Sequence, residues 1–149
     1  MSLSLESTAF ISNTMIPSQY TCDGFDSSPP LAWQDSSAQT RSYVLIVDDP
    51  DAPGGTWDHW VLFNIPAAVK QLPEGSVKPE GALDGKNSWG SLGYRGPCPP
   101  SGVHHYHFKL YALDSTLNLP SGVGKQAVMQ AMKGHILGST ELIGLYRKG

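Results

Sequence analysis

The densest group of chemically useful side chains lies in residues 48–60, with the sequence DDPDAPGGTWDHW. Asp49 and Asp51 are separated by one proline, and a short distance later His59 stands between two tryptophans. A carboxylate beside an imidazole fixes the tautomer of the ring and favours its charged form. A ring held in this way presents an N–H to a ligand oxygen. We therefore expect one of the two acids to cap backbone amides in an Asx-type turn and the other to pair with His59.

A second group lies in residues 93–106, with the sequence GYRGPCPPSGVHHY. Successive side chains of a strand point to opposite faces, so His104 and Tyr106 share the apolar face of the run that follows and should point inward. A core histidine bonded to backbone is the alternative for His104. His105 and His107 share the other face, where surface histidines are favoured over a metal site, since zinc needs at least a third ligand.

The Gly/Pro loop between these histidines and the preceding tyrosine has small side chains that leave its backbone amides open. Such amides can form an anion-binding concavity, although a generic turn gives the same pattern. The candidate donors are Gly96, Cys98, Ser101 and Gly102. Together the two loops offer carboxylates, imidazoles, a phenol and backbone donors. This combination suits a phosphate or carboxylate, and a zwitterionic headgroup would use the acids as well.

Short apolar runs separated by the 16 glycines and 12 prolines should form the strands that position these loops. Residues 42–47 and 60–65 are apolar without alternation, which predicts central strands buried on both faces. Further strands are expected at residues 7–10, 104–113 and 141–146.

Helical periodicity is convincing only near residues 124–137. There one face can collect Val128, Met129, Met132 and Ile136.

Residues 22–33 read as a turn followed by an extended, proline-stiffened segment. Pro29 and Pro30 cannot donate to a sheet ladder, so we expect this segment to lead into an edge. The predicted fold is mostly β, with two packed sheets and one late helix.

Length and charge narrow the class of protein. A chain of 149 residues predicts one domain spanning residues 1–149, and a net charge of −3 argues against nucleic acid as a partner. No signal-like start or membrane-spanning run is present, so we expect a cytoplasmic protein. A cytoplasmic setting favours reduced thiols at Cys22 and Cys98, with a bridge between their loops as the alternative.

Three segments resemble the phosphatidylethanolamine-binding protein family, also called Raf kinase inhibitor-like proteins, in its shorter bacterial and archaeal branch. They are DPDAP with W-x-H at residues 49–59, GPxPPxGxHHY at residues 96–106 and SPPLAW at residues 28–33. The resemblance implies a Greek-key β-sandwich with a cis Ala52–Pro53 bond in the DPDAP loop. It also implies a ligand pocket formed by Asp49, Asp51, Pro53, Trp57, His59, Gly96, Pro97, His104 and Tyr106.

The resemblance implies binding of phosphate on a small molecule, a phospholipid headgroup or a phosphopeptide. No serine, threonine or cysteine has an evident base in triad order, so we expect a non-enzymatic protein, without cofactor or metal. Inhibition of a kinase or a serine protease is one alternative, and a weak hydrolase using Asp51 and His59 is another. A homodimer is also implied. Kinase regulation transfers less directly, because the chain is shorter than the animal proteins and His105 replaces the arginine of many relatives.

Overall fold

A computed structural model describes residues 2–75 and 77–148 and shows two packed β-sheets with a single α-helix. The elements are β1 (Leu3–Glu6), β2 (Thr14–Met15), a 3-10 turn (Ser18–Tyr20), β3 (Leu31–Asp35), β4 (Ser42–Asp49), β5 (Trp57–Pro66), β6 (Gln71–Leu72), β7 (Leu83–Asp84), β8 (His104–Leu113), α1 (Lys125–Met132) and β9 (Ile136–Tyr146). The predicted mostly β class is confirmed.

The smaller sheet has the order β1-β3-β6, and the larger has the order β2-β9-β8-β4-β5-β7. Neighbouring strands in both sheets pair antiparallel, except that β2 pairs parallel with β9. The main core lies between the sheets, and a second apolar cluster lies under α1 on the outer face of the larger sheet. Every residue of β4 is buried, because one face meets each cluster, as the unalternating apolar run predicts.

Strand boundaries near the two chain ends differ from the prediction. Residues 7–10 are not a strand; the first strand is β1, which pairs with β3. The last strand begins at Ile136 rather than at residue 141, because it pairs along the whole length of β8.

The helix is shorter than predicted and ends at Met132, just before Gly134 adopts a φ of 82° that favours glycine. Val128 and Met132 are buried as expected, whereas Met129 is 38% exposed and Ile136 belongs to β9. No helix among the described residues is long and apolar enough to cross a membrane.

The proline-stiffened segment leads into a central strand, so the expectation of an edge is wrong. β3 begins at Leu31, immediately after Pro30, and is the middle strand of the smaller sheet. The missing N–H groups of Pro29 and Pro30 lie outside the ladder, so they cost it no hydrogen bond.

The expected cis Ala52–Pro53 bond is also wrong, since no peptide bond among the described residues is cis. The chain turns at the following glycines instead. Gly55 has a φ of 114° and donates its N–H to the Ala52 carbonyl at 3.1 Å. With the reversal made there, the bond keeps the trans form that X–Pro bonds prefer.

Cys22 and Cys98 form a disulfide with a Cα–Cα distance of 5.4 Å, so the expectation of reduced thiols is wrong. The bridge joins the loop after the 3-10 turn to the Gly/Pro loop before β8. Sequence could not decide this pairing, because it depends on two loops that are 76 residues apart.

Candidate functional site

A pocket of about 630 Å³ opens where β4 ends and β8 begins. Six of the nine residues implied by the resemblance line it: Asp49, Pro53, Trp57, His59, His104 and Tyr106. The two segments singled out in the sequence therefore meet at one site, because β4 and β8 are neighbours in the larger sheet.

Asp49 organises the inner wall of this pocket. Its Oδ2 accepts a hydrogen bond from His104 Nδ1 at 2.6 Å, and its Oδ1 accepts one from the Asp51 backbone N–H at 2.8 Å. Asp49 and His104 are only 3% and 7% exposed. The buried carboxylate is thus satisfied by donors, as buried polar groups generally are. Asp49 thus forms the predicted Asx-type turn and also pairs with an imidazole. The imidazole belongs to His104, whereas the prediction was His59.

Tyr106 extends this network across the pocket floor. Burial raises the pKa of its hydroxyl far above the usual range, and the nearby Asp49 carboxylate raises it further. The hydroxyl lies close enough to the Asp49 carboxylate and to the Cys98 backbone amide for both groups to influence its pKa. Tyr106 therefore stays protonated and lies between the Gly/Pro loop and the Asp49–His104 pair.

His59 reaches the pocket because it is the extra residue of a β-bulge. Val47 pairs with Trp60 and Asp48 pairs with Asp58, which leaves His59 without a partner position on β4. Bulges often redirect a side chain beside a functional site. Simple alternation from the neighbouring residues could not have given this orientation.

The Nδ1 atom of His59 lies 2.7 Å from the Arg95 carbonyl oxygen. A carbonyl only accepts hydrogen bonds, so Nδ1 carries the proton. The prediction that His59 pairs with a carboxylate is therefore wrong. Burial lowers the pKa of His59, although the Arg95 hydrogen bond and the Asp49 charge oppose the shift.

Asp51 lies outside the pocket lining and holds the start of β8. Its Oδ2 accepts hydrogen bonds from His105 Nδ1 at 2.6 Å and from the His105 backbone N–H at 2.8 Å. The His105 hydrogen bond lowers the pKa of Asp51, while partial burial opposes the shift. His107 pairs with Glu141, and no three His, Cys, Asp or Glu residues in the described part of the chain form a metal-binding group.

Gly96 and Pro97 also lie behind the lining and support the loop instead. Gly96 donates its N–H to Asp26 Oδ1 at 2.9 Å, and a Cβ there would lie 2.2 Å from the Tyr20 carbonyl oxygen. The Pro97 carbonyl accepts the Cys22 N–H.

The predicted amide concavity is not assembled from its four expected donors. The Gly96 amide is bonded to Asp26, and of the four residues only Cys98 lines the pocket. Ser101 and Gly102 do not line the pocket.

Trp89 also lines the pocket, although no sequence pattern marked it as a candidate. Its ring centroid lies 4.9 Å from that of His59 and 5.5 Å from that of Trp57. The Trp89 backbone N–H donates to Asn87 Oδ1. The Ser88 backbone N–H donates to the Asp58 carbonyl, and the Asp58 backbone N–H donates to Ser88 Oγ. The short motif NSWG reads as an ordinary turn, so its position beside the pocket follows only from these tertiary contacts.

Two lysines hold the strand ends together on the opposite face of the sheet. Asp48 and Asp58 are cross-strand partners, an arrangement that alone is destabilising. Lys125 Nζ lies 3.3 Å from Asp48 Oδ2 and 2.8 Å from Asp58 Oδ1, and Lys109 Nζ lies 3.2 Å from Asp48 Oδ2. Since Asp48 and Asp58 precede Asp49 and His59 directly, this ion-pair cluster fixes the backbone that presents both pocket residues.

Comparison with known proteins identifies the family. The model of a family described as "Phosphatidylethanolamine-binding protein" matches residues 6–147. The chain belongs to the phosphatidylethanolamine-binding protein family. A UPF0098 protein of Methanothermobacter thermautotrophicus is 51% identical over 99% of this chain and all of that protein. One from Pyrococcus horikoshii is 49% identical over 95% of this chain and 75% of that protein.

Solved structures of family members agree with this fold. A proposed phosphatidylethanolamine-binding protein homolog from Chlamydia trachomatis superposes with a TM-score of 0.94 at 41% identity, covering 99% of this chain and 98% of that one. Escherichia coli YbcL, described as a member of the mammalian family, gives a TM-score of 0.91 at 31% identity, covering 99% of both chains.

The chemistry of the pocket depends on the protonation state of two imidazoles. His59 and His104 both commit Nδ1 to a protein oxygen, so Nε2 is the ring atom left to meet a ligand. A neutral ring then offers a lone pair at Nε2, and a protonated ring offers an N–H. An anion therefore gains a ring donor only when a histidine takes up a proton.

Proposed function

We propose that this pocket binds the phosphoryl group of a small molecule or lipid headgroup without chemical turnover. The observation that carries the proposal is the convergence of His104, held by Asp49, and the bulged His59 on one aromatic-walled pocket. Two imidazoles that line one pocket can supply positive charge and N–H donors to a tetrahedral anion. The pocket lining includes aromatic rings and prolines, and hydrogen bonds in such a low-dielectric setting are stronger than in water.

The contacts favour binding over hydrolysis. The acid–base pair of Asp51 and His59 is not assembled, because Asp51 is held by His105 and His59 by the Arg95 carbonyl. Cys98, which lines the pocket, has its sulfur in the disulfide and cannot act as a thiolate nucleophile in this state. Inhibition of a kinase or serine protease and formation of a homodimer stay predictions from the resemblance.

The cytoplasmic location also stays a prediction. The Cys22–Cys98 disulfide weighs against it, because disulfides persist mainly in oxidising compartments and in the intracellular proteins of hyperthermophiles.

The proposal can be tested by titrating the protein with inorganic phosphate, phosphorylethanolamine and acetate while following histidine ring resonances by NMR. We expect shifts at His59 and His104, larger for the phosphoryl ligands than for acetate. His59→Gln and His104→Gln should each weaken phosphate binding at least tenfold, since a hydrogen bond to a charged group contributes about 1.5–3 kcal/mol.

The matched control is His135→Gln. His135 Nδ1 pairs with Asp114 Oδ1 at 2.8 Å, so it repeats the His104–Asp49 contact on an exposed surface. Asp114 follows the far end of β8, about 30 Å from His104 at the usual rise of a strand. Unchanged affinity in both pocket variants, or no binding by the wild-type protein at millimolar phosphate, would overturn the proposal.

A further inference from the structure

Arg95 is tied to the pocket through both its backbone and its side chain. Its N–H donates to the His59 carbonyl at 3.1 Å, and its carbonyl accepts from His59 Nδ1 at 2.7 Å. Its guanidinium lies over the Trp89 ring, with Cζ 4.7 Å from the centroid. Stacking on an aromatic ring restrains a side chain that would otherwise sample many rotamers in water. The guanidinium is thus held against Trp89, which lines the pocket, although Arg95 itself is not part of the lining.

The charge of Arg95 has no anionic partner in the described part of the chain. The ion pairs there involve His104, His105, His107, Lys109, Lys125 and His135, and none includes Arg95. Two acids whose charges act on the neighbouring His59 are already engaged: Asp49 with His104, and Asp26 Oδ1 with the Gly96 N–H. Arg95 is therefore an oriented cation that remains open to a ligand.

The guanidinium is also close enough to act on a molecule already bound in the pocket. The Trp89 centroid lies 4.9 Å from the His59 ring centroid and 4.7 Å from Arg95 Cζ. The distance between Arg95 Cζ and the His59 ring therefore cannot exceed these two lengths together. A compact ligand with two anionic groups spans such a distance.

We propose that Arg95 forms a second anionic subsite, so that the preferred ligand carries a carboxylate as well as a phosphoryl group. This inference rests on the proposed function, in which the phosphoryl group occupies the pocket beside His59 and His104. The planar guanidinium matches a carboxylate through two parallel hydrogen bonds. An ammonium group in the same place would be repelled. The positive charge of Arg95 thus disfavours a headgroup in which the phosphoryl group is accompanied only by an ammonium group.

Phosphorylethanolamine and O-phospho-L-serine are a matched pair for this test, because they differ by one carboxylate. We expect the wild-type protein to bind O-phosphoserine about fivefold more tightly, a modest factor because the guanidinium is exposed to solvent. Arg95→Gln should remove this preference, so that the variant binds the two ligands with equal affinity, because their affinity ratio isolates the contact to the carboxylate. Arg41→Gln, at the start of β4 and therefore at the far end of the sheet, should keep the preference.

Equal affinities in the wild-type protein, or a preference that survives in Arg95→Gln, would overturn the subsite while leaving the proposed function intact. Failure of wild-type protein to bind inorganic phosphate would overturn both.

Cosedimentation with vesicles of phosphatidylserine or phosphatidylethanolamine distinguishes a lipid from a free metabolite. Arg95-dependent binding of free O-phosphoserine supports a soluble ligand. An Arg95-dependent preference for phosphatidylserine vesicles supports a lipid headgroup. The absence of both effects would contradict the subsite.

Discussion

Loss of the Cys22–Cys98 disulfide should strongly reduce the free energy of unfolding. The bridge closes a loop of 76 residues, and a crosslink of this span restricts the unfolded chain by about 4 kcal/mol in the chain-entropy account. Single domains are commonly stable by only about 5–15 kcal/mol, so this is a large share of the total. At a urea slope of about 2 kcal/mol/M, the unfolding midpoint should fall by about 2 M.

The assay is urea unfolding of the oxidised wild-type protein, the dithiothreitol-reduced wild-type protein and the Cys22→Ser/Cys98→Ser variant. The reduced protein and the variant should unfold at similar urea concentrations, because both lack only the crosslink. A loss below 1 kcal/mol in both would refute the reasoning, whereas a loss in the variant alone would trace to the serine substitutions.

The same variant should keep its phosphate affinity under folding conditions. Two hydrogen bonds hold the Gly/Pro loop independently of the sulfur atoms: Cys22 N–H to the Pro97 carbonyl at 3.1 Å, and the Tyr94 hydroxyl to the Tyr20 carbonyl at 2.7 Å. The bridge thus acts chiefly on stability, and a large loss of affinity in the folded variant would contradict this division.

Two further predictions concern the strand ends and pH. Lys125→Met should cost about 2 kcal/mol in urea unfolding, below the usual cost of breaking a buried pair because Lys109 still neutralises Asp48. Adding Asp58→Asn should restore part of that loss, and a further decrease would contradict a repulsion between the two acids. For pH, the lowered pKa of His59 means that the unfolded chain binds a proton first as pH falls below about 6.5. The free energy of unfolding should therefore decrease as pH falls from about 6.5 to the pKa of folded His59, and then level off. His59→Gln should lack this decrease, which is measured as the difference between urea midpoints at pH 7.5 and 5.5.

The framework of the fold could be predicted because burial leaves a direct pattern in sequence. β4 and the centre of β5 are apolar on both faces because each lies between the two apolar clusters. Apolar and polar residues alternate along β8 because one of its faces is more exposed to solvent. Helix and strand ends were less predictable, because Gly134 and the long pairing of β9 with β8 set them.

Six of the nine predicted residues line the pocket, but the hydrogen-bond pairing of its side chains was not predictable. Asp49, His59 and His104 were chosen correctly as neighbours, because two loops at adjacent strand ends must meet. Their hydrogen bonds depend on a bulge at His59 that shifts the register by one residue, and short-range spacing does not reveal such a shift. Trp89 reaches the pocket through backbone contacts of its loop, so no local pattern marks it.

The affinity for sulfate as a function of pH tests the central claim most directly. Sulfate resembles a phosphoryl group but stays a dianion between pH 5 and 8, so any pH dependence belongs to the protein. Because His59 commits its Nδ1 proton to the Arg95 carbonyl, an N–H at its Nε2 requires the uptake of a proton. Burial lowers the pKa of His59, so we predict that sulfate affinity weakens by up to about tenfold per pH unit as pH rises above that pKa, which corresponds to one proton taken up on binding, in wild-type protein and in His135→Gln. A constant affinity across this range would contradict the account.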